Sequence, residues 1–367
     1  MSSFTATDVR YMARALQLAR QGLFSTDPNP RVGCVLVRDD QVVAEGWHER
    51  AGQGHAEANA LAQAGSKARG ASCYVTLEPC SHTGRTPPCA DSLIEAGISR
   101  VIAASADPNP KVAGQGFARL QAAGISLEYG LLEHEARALN PGFMHRFTRQ
   151  RPWFRCKLAM SLDGRTALAS GESQWITDAP ARADVQALRA RSSAILTGVN
   201  TILADDPSLN VRLEQAWRQP LRIILDPALH TPPTARTLQL PGDVLILTTV
   251  SDSERWQALQ QAGAEVHRLP ASADGLDLAA VAQELARREL NEVHLECGPT
   301  LAGALLNADL LDELVLYVAP VLLGDAAHGL FRLPALTSMS QRIELELADI
   351  RAVGRDWRIT AYPKRQR

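Results

Sequence analysis

The sequence has little of what marks a secreted or membrane protein. Its six cysteines are scattered over 367 residues, which excludes the dense disulfide framework of small secreted domains. The longest apolar run, Leu314 to Leu323, is interrupted by Pro320 and is far shorter than a membrane span. The N-terminus shows no basic segment followed by an apolar one, which is the pattern of a signal peptide. We therefore expect a cytoplasmic protein without a membrane partner.

An excess of positive charge is also missing. The chain has 38 Lys and Arg residues against 40 Asp and Glu, a formal net charge of -2, so it has no general field that attracts nucleic acid. We expect no nucleic-acid partner. With 46% hydrophobic and 21% charged residues, the composition is that of a globular protein, and the length indicates two or three domains.

Residue types that bind zinc occur in a short, ordered set. His55-Ala56-Glu57 is followed by Pro79-Cys80 and then by Cys89. In the zinc deaminase pattern, one imidazole and two thiolates hold the metal, a fourth position is left for water, and a non-ligand Glu moves protons. We predict that His55, Cys80 and Cys89 are the metal ligands and that Glu57 is the catalytic acid and base.

The local pattern gives this spacing a physical reason. Residues from His55 to about Ala64 predict a helix, Ser72 to Leu77 predict a strand, and Cys89 to Ala96 predict a second helix. Two helix starts and one strand end would then meet at one point. Helix N-termini also favour thiolates over thiols.

A closed structural zinc site is the alternative, because such sites have four protein ligands. A fourth ligand could come from Cys34, Cys73, His48 or His82. The carboxylate of Glu57 favours the catalytic interpretation, since a structural site gives no reason for it.

The rest of the first 150 residues alternates helical and strand-like segments. An amphipathic helix is predicted from Asp8 to about Gln21, and a hairpin around Asp39-Asp40 pairs Val32–Val37 with Val42–Trp47. The alternation that follows predicts a helix-covered sheet. Asn29, fixed between two prolines, could offer a hydrogen-bond donor and acceptor to a polar heterocycle, although chain reversal alone also explains this turn.

Several segments of this region are similar to one known family. They are Pro28–Gly33, His55–Glu57, Thr76–Cys89 with its polar insert at residues 81–88, and Asp107–Asn109. Together they resemble the bifunctional riboflavin-biosynthesis deaminase-reductases. The resemblance implies a cytidine-deaminase-like three-layer domain over residues 1–150. It also implies substrate contacts at Asn29, His82, Arg85 and Asn109.

A second domain is predicted over residues 151–367. The boundary is marked by Asn140-Pro141-Gly142, a polar basic stretch and Arg151-Pro152. Strand-like runs recur at 153–160, 194–197, 221–225, 244–248, 265–269, 293–297 and 314–318. Helical runs lie between many of them, which is typical of a doubly wound α/β sheet. Two later runs, 342–347 and 357–362, could extend this sheet antiparallel.

The second half is similar to the reductase module of the same family at Lys157–Gly164, Ser173–Ile176, Gly198–Pro207 and Glu296–Gly303. The resemblance implies a dihydrofolate-reductase-like fold and hydride transfer from NADPH to the ribose C1′ of a phosphoribosylamino-uracil. The implied cofactor contacts are Ala159, Trp175, Thr201, Asp205, Gly298, Pro299, Thr300, Leu301, Ala302, Gly303 and Ala304. The implied substrate contacts are Ser173, Arg189, Leu209, Arg212 and Glu296. Lys157 and Asp205 are the candidates to polarise or protonate the opened sugar.

Residue chemistry supports part of this assignment. The helix that follows Gly298 would offer free N–H groups to a phosphate, and the guanidinium groups of Arg189 and Arg212 bind oxyanions in a bidentate fork. Ordinary explanations stay open for each feature: a plain strand-to-helix turn at Gly298, a solvated arginine-rich helix at Arg189, and a capped turn at Asp205-Asp206-Pro207.

The sequence therefore predicts a homo-oligomeric enzyme with Zn²⁺ and NADPH as cofactors. It would deaminate 2,5-diamino-6-(5-phosphoribosylamino)pyrimidin-4(3H)-one and then reduce the ribosyl group to ribityl. Two other classes remain: a nucleic-acid or free-nucleoside deaminase with an unrelated C-terminal domain, and a zinc-stabilised nucleotide sensor without turnover. The insert between Cys80 and Cys89 argues against the first, and Glu57 argues against the second.

Overall fold

The computed structural model describes residues 4–81, 87–110, 112–214, 218–251, 253–273 and 275–364. The chain forms two compact units, Met1–Gln150 and Arg151–Arg367. Among the described residues there is no helix with both the length and the apolar character that a membrane crossing requires.

The first unit is built on a mixed sheet. Its strands are β1 Gly33–Arg38, β2 Gln41–Trp47, β3 Ser72–Val75, β4 Arg100–Ala103 and β5 Ser126–Tyr129. Their order across the sheet is β2-β1-β3-β4-β5. Strand β1 runs antiparallel to β2 and β3, whereas β3, β4 and β5 run parallel. The β1–β2 hairpin turns at Asp39 and Asp40, which both have positive φ, as the sequence predicts.

Helices cover both faces of this sheet. They are α1 Ala6–Ala19, α2 Ala56–Ala64, α3 Cys89–Glu95, α4 Gln115–Ala122, α5 Glu133–Leu139 and α6 Pro141–Thr148. Successive residues of a strand point to opposite faces. Val35 of β1 accordingly packs in one buried cluster with Met12 of α1, while Leu36 packs in another with Ala60 of α2. The predicted three-layer arrangement is confirmed.

The second unit is built on a larger sheet. Its strands are β6 Trp153–Ser161, β7 Arg165–Ala167, β8 Ala194–Gly198, β9 Leu221–Leu225, β10 Val244–Thr248, β11 Glu265–Arg268, β12 Ala271–Ser272, β13 Gly275–Leu276, β14 Glu292–Leu295, β15 Glu313–Ala319, β16 His328–Gly329, β17 Leu345–Val353 and β18 Asp356–Pro363. The main sheet has the order β11-β10-β9-β8-β14-β6-β15-β18-β17. It is parallel from β11 to β15, and β18 then runs antiparallel to both β15 and β17.

Helices of this unit also lie on both faces of the main sheet. They are α7 Ala179–Arg191, α8 Val199–Asp205, α9 Arg236–Gln239, α10 Glu254–Gln261, α11 Leu278–Arg287 and α12 Pro299–Asn307. Leu196 of β8 packs in a buried cluster with Ala302 of α12, whereas its neighbour Ile195 packs in a second cluster with Leu259 of α10. The doubly wound sheet with an antiparallel extension is confirmed.

The predicted strand at residues 342–347 is wrong in its bounds. Met339–Gln341 form a 3₁₀ turn, and strand β17 begins at Leu345 and continues to Val353. Its register against β18 shifts between Leu347 and Asp349. A bulge adds one residue to the strand, so the residues after it point to the opposite face from the one that strict alternation predicts. A prediction based on unbroken alternation of apolar and polar residues therefore ends the strand at the bulge.

Candidate functional site

The three predicted metal ligands come together in the first unit. His55 is the residue before α2, Cys89 is the first residue of α3, and Cys80 lies in the turn after β3. His55 Nδ1 lies 3.6 Å from Cys80 Sγ and 3.3 Å from Cys89 Sγ, and the three ligand atoms all lie within 4.8 Å of one another. A tetrahedral zinc ion with bonds of about 2.0 Å to nitrogen and about 2.3 Å to sulfur has an N···S edge of about 3.5 Å. The donor set therefore fits zinc.

Within the described parts of the chain, no fourth protein ligand joins this group. The Sγ atoms of Cys34 and Cys73 lie 3.5 Å from each other in the core, and His48 Nδ1 lies 3.0 Å from the Gly54 carbonyl oxygen. His82 and Arg85 lie outside the described residues. A three-ligand site leaves one coordination position for water or substrate.

Hydrogen bonds favour a thiolate at Cys80. The bond from the Cys89 thiol, together with bonds from His55 and the Cys89 N–H, outweighs burial and lowers the pKa of Cys80 to about 4. The same thiol–thiol bond raises the pKa of Cys89. The thiolate is the form of cysteine that binds metal ions.

Glu57 lies in the first turn of α2, two residues after His55, and is buried. Burial raises the pKa of its carboxyl group to about 7. The residue is not part of the ligand group. A carboxyl group that titrates near neutral pH can both take and return a proton. The position and the electrostatics of Glu57 therefore suit an acid and base beside the metal.

His48 connects Asn29 with the metal ligands. Asn29 Nδ2 donates to His48 Nε2 over 3.1 Å, which leaves Nδ1–H of His48 to donate to the Gly54 carbonyl. The rings of His48 and His55 meet edge to face, with centroids 5.4 Å apart. The sequence marks His48 only as a possible ligand, because a single histidine carries no pattern that would reveal this packing role.

Asn109 lies in the loop after β4, the strand next to β3. The carboxyl ends of parallel neighbours lie at the same edge of a sheet, so this loop begins beside the turn that carries Cys80. Asn109 N donates to Asp107 Oδ1 over 2.7 Å, and Asp107 N donates to Glu78 Oε2 over 3.2 Å. Substrate contacts by Asn29 and Asn109 remain predictions.

The second unit contains a cavity of about 1490 Å³. The predicted residues that line it are Lys157, Ala159, Ser173, Trp175, Arg189, Thr201, Asp205, Leu209, Arg212, Glu296, Gly298, Pro299, Thr300, Leu301 and Ala304. Two other predicted contacts pack into the protein instead. Ala302 is fully buried in the core, and a Cβ atom on Gly303 would lie 2.1 Å from the Arg332 carbonyl oxygen. The glycine at 303 thus serves close packing of α12.

Arg189 and Glu296, both predicted substrate contacts, bind each other. Arg189 Nε lies 2.5 Å and Nη2 lies 2.8 Å from the two carboxylate oxygens of Glu296, and Nη1 donates to the Asn210 carbonyl over 2.8 Å. Burial alone would raise the pKa of Glu296, but the Arg189 guanidinium holds that pKa well below its usual range. Since a buried carboxylate neutralises it, Arg189 is poorly placed to attract a phosphate dianion.

Arg212 is the predicted cation that stays exposed at the cavity. Its backbone N–H donates to Gln186 Oε1 over 2.9 Å, and its Nη1 donates to Asn210 Oδ1 over 2.8 Å. Both partners are neutral amides, so the positive charge of Arg212 is not cancelled by them. This difference favours Arg212 over Arg189 as a candidate phosphate ligand, and contact of either residue with a phosphate remains a prediction.

Lys157 and Asp205 have pKa values that move toward neutrality. Burial lowers the pKa of Lys157 on β6. The negative charge of Glu296 raises that pKa in part, and the positive charge of Arg189 lowers it further. Partial burial raises the pKa of Asp205 at the end of α8. Groups shifted in this way exchange protons more readily near neutral pH. Asp206 is the C-cap residue of α8 and has a positive φ, and its Oδ1 accepts the Arg236 backbone N–H over 2.7 Å.

Helix α12 begins at Pro299, directly after Gly298, and its first turn lines the cavity. Gly298 caps the helix without a side-chain hydrogen bond. The first backbone N–H groups of a helix have no partner within that helix and carry partial positive charge. This end of α12 can therefore bind a phosphate group of a nucleotide.

Two family models match the chain. Residues 5–105 match the "Cytidine and deoxycytidylate deaminase zinc-binding region", and residues 152–359 match the "RibD C-terminal domain". The chain is 50% identical to "Riboflavin biosynthesis protein RibD" of Escherichia coli strain K12 over 95% of its own length and 97% of that protein. It is 46% identical to the protein of that name from Haemophilus influenzae, over 99% of this chain and 100% of that one.

Solved structures give the same result. The chain superposes on Acinetobacter baumannii RibD with a TM-score of 0.91 and 43% identity, covering 98% of this chain and 99% of that one. It superposes with a TM-score of 0.87 and 31% identity on the Thermotoga maritima diaminohydroxyphosphoribosylaminopyrimidine deaminase/5-amino-6-(5-phosphoribosylamino)uracil reductase, with coverage of 98% and 99%.

Proposed function

Since the chain belongs to the RibD family of bifunctional riboflavin-biosynthesis deaminase-reductases, we propose that residues 1–150 carry the deaminase and residues 151–367 carry the reductase. The chain is a two-activity enzyme of that pathway. The proposed substrate is 2,5-diamino-6-(5-phosphoribosylamino)pyrimidin-4(3H)-one, which is first deaminated and then reduced at its ribosyl group. The observation that carries the assignment is the three-ligand zinc set with buried Glu57 beside it.

In the proposed deaminase reaction, His55, Cys80 and Cys89 hold the metal. A zinc ion bound there acidifies water for attack on the ring carbon that bears the amino group. Glu57 takes one proton of that water and gives it to the ring nitrogen. It then takes the second proton from the hydroxyl group on the attacked carbon and gives it to the amino group, which leaves as ammonia while the carbonyl forms. Asn29 and Asn109 position the substrate from the two loops described above, and His82 and Arg85 are proposed to contact its ribose and phosphate.

In the proposed reductase reaction, NADPH supplies the hydride that reduces ribose C1′. The N-terminal turn of α12 binds a cofactor phosphate, with Ala159, Trp175, Thr201 and Asp205 along the same cavity. Lys157 donates a proton to the sugar oxygen that is released as the ring opens. Ser173, Leu209 and Glu296 contact the substrate, and Arg189 holds Glu296 in place.

The assignment can be tested with purified protein and the aminopyrimidine phosphate. Ammonia should be released without NADPH, and NADPH absorbance should fall only after deaminated product is present or supplied. Ammonia release from free nucleosides or nucleic acid, with none from this substrate, would favour the rival deaminase class. Nucleotide binding without ammonia release or NADPH consumption would favour the sensor.

Zinc content gives a second test. Cys80→Ser should reduce bound zinc from one ion per chain to nearly none after dialysis, because one imidazole and one thiolate remain as ligands. Elemental analysis measures this. Cys34→Ala, a buried cysteine outside the ligand group, should keep its zinc. Full zinc content in Cys80→Ser would show that other residues hold the ion.

A homo-oligomer is also proposed, formed through the edge strand β17. Leu345, Leu347 and Ile350 on this strand are 39%, 59% and 52% exposed. An edge strand has unpaired backbone groups, and an apolar one favours pairing with a second chain. The cytoplasm is the proposed compartment, because the six cysteines are free and a zinc site with thiolate ligands suits a reducing compartment.

The double variant Leu347→Lys/Ile350→Lys should be monomeric where the parent chain is oligomeric. Burial of each Leu or Ile side chain contributes about 1.5–3 kcal/mol, and a lysine pair facing its own copy adds repulsion. Sedimentation velocity measures the change. Val9→Lys, at another exposed apolar residue, is the control. A variant that sediments like the parent oligomer would place the interface elsewhere.

A further inference from the structure

The buried carboxylate of Glu78 accepts hydrogen bonds from four backbone N–H groups. Asp107 N and Gly114 N donate to Oε2 over 3.2 and 3.0 Å, while Gly116 N and Phe117 N donate to Oε1 over 3.0 and 3.3 Å. The side chain is 4% exposed. Both carboxylate oxygens are thus occupied by donors from a segment about 30 to 40 residues later in the chain.

Glu78 serves as the cap of helix α4. The residue at the N-cap of this helix is Gly114, which has no side chain to accept the first N–H groups. A carboxylate at this end also interacts favourably with the helix dipole. The helix approaches closely, because a Cβ atom on Gly116 would lie 1.9 Å from the Pro79 carbonyl oxygen. Helix α4 is therefore fixed directly against the turn that carries Cys80.

Asp107 connects Glu78 with Asn109 through hydrogen bonds. Asp107, whose N–H binds Glu78, accepts the Asn109 N–H through Oδ1 over 2.7 Å. The Asn109 carbonyl accepts the N–H groups of Val112 and Ala113 over 2.8 and 2.9 Å. The backbone of Asn109 is thus held on both sides, and Glu78 connects one side to the metal-ligand turn.

We propose that Glu78 is a positioning residue of the deaminase, which sets the Asp107–Asn109 loop at a fixed distance from the zinc ligands so that the Asn109 amide meets the substrate ring. The inference rests on the proposed substrate contact of Asn109. A purely structural role would change the stability of the unit but would leave substrate affinity as it is. The two roles therefore differ in kinetics.

Glu78→Gln tests this in the full-length protein. The amide keeps the shape but directs an NH₂ group at one pair of backbone donors, so that pair loses its acceptor. We expect the deaminase kcat/KM to fall on the order of 10- to 10²-fold, mainly through KM. Zinc content and reductase kinetics on deaminated substrate should stay unchanged. Hydrogen exchange should become faster at the pair that the NH₂ group faces, either Asp107 and Gly114 or Gly116 and Phe117.

Asp8→Asn is the matched control. Asp8 is a buried carboxylate of the same unit that accepts bonds from Thr5, Tyr74 and Arg100. This variant should lose stability without a change in KM. Equal KM increases in Asp8→Asn and Glu78→Gln would show that Glu78 has only a structural role and would overturn the inference. An unchanged KM in Glu78→Gln would also overturn it.

A double-mutant cycle with Asn109→Ala separates the inference from the function on which it rests. Glu78→Gln should add little to the KM of Asn109→Ala, because both changes remove the same contact. If the KM changes of the two variants are fully additive, the positioning role of Glu78 is wrong, while the substrate contact of Asn109 stands. Wild-type kinetics in Asn109→Ala would overturn the substrate contact and this inference with it. If Glu78→Gln does not fold, Asp107→Ala, which removes the next bond in the series, carries the same cycle with the same outcomes.

Discussion

Replacing Glu57 by Gln is expected to lower the deaminase kcat by at least about 10²-fold while one zinc ion per chain remains bound. The amide has nearly the same shape, but it cannot accept a proton from water. The three ligands His55, Cys80 and Cys89 are untouched. Because burial already raises the pKa of Glu57 to about 7, a neutral amide at this place should not lower the stability of the fold.

The measurement combines ammonia release with elemental analysis of the same preparation. Glu45→Gln, which changes a carboxylate paired with Arg14 at the surface of the same unit, should keep wild-type turnover. Reductase kinetics on deaminated substrate should be equal in all three proteins. Near-normal ammonia release by Glu57→Gln would remove Glu57 from the mechanism, and loss of zinc would make it part of the metal site.

Much of the metal centre could be predicted from the sequence because its chemistry is carried by rare residue types in a fixed order. His55 and Cys89 stand at the start of a helix, and Cys80 lies in the turn after a strand. Such boundaries are visible in apolar periodicity and turn residues. The sheets were predictable for the same reason. The order of the strands and the bulge in β17 could not be predicted, because they depend on pairing between strands, and the residues of one strand do not show which strand pairs with it.

Residues that act through tertiary contacts could not be assigned in this way. Asn29 and His48 are 19 residues apart, Glu78 and Gly116 are 38 apart, and Arg189 and Glu296 are 107 apart. Nothing local distinguishes a glutamate that caps a distant helix from one in solvent. An arginine in a charged helix likewise gives no sign that a buried carboxylate neutralises it, so only the structure separates Arg189 from Arg212.

The phosphate of the substrate gives the other large effect. Arg212→Ala should lower the reductase kcat/KM by about 2–4 kcal/mol in transition-state free energy, or about 30- to 10³-fold, because it removes a charge-assisted bidentate contact. Deaminase kinetics should not change, since Arg212 belongs to the second unit. Initial rates of NADPH consumption with deaminated substrate measure the effect.

A dephosphorylated substrate makes this test specific. That substrate has already lost the contact, so Arg212→Ala should change its kcat/KM very little if the guanidinium acts on the phosphate alone. Arg236→Ala removes a positive charge from the lining of the same cavity, next to Asp206 at 3.8 Å, and should affect both substrates alike. Equal losses on both substrates in Arg212→Ala would show that this arginine acts on the cofactor or on the fold. A loss confined to the phosphorylated substrate would identify it as the phosphate ligand, because the charge that Glu296 cancels on Arg189 is still available on Arg212.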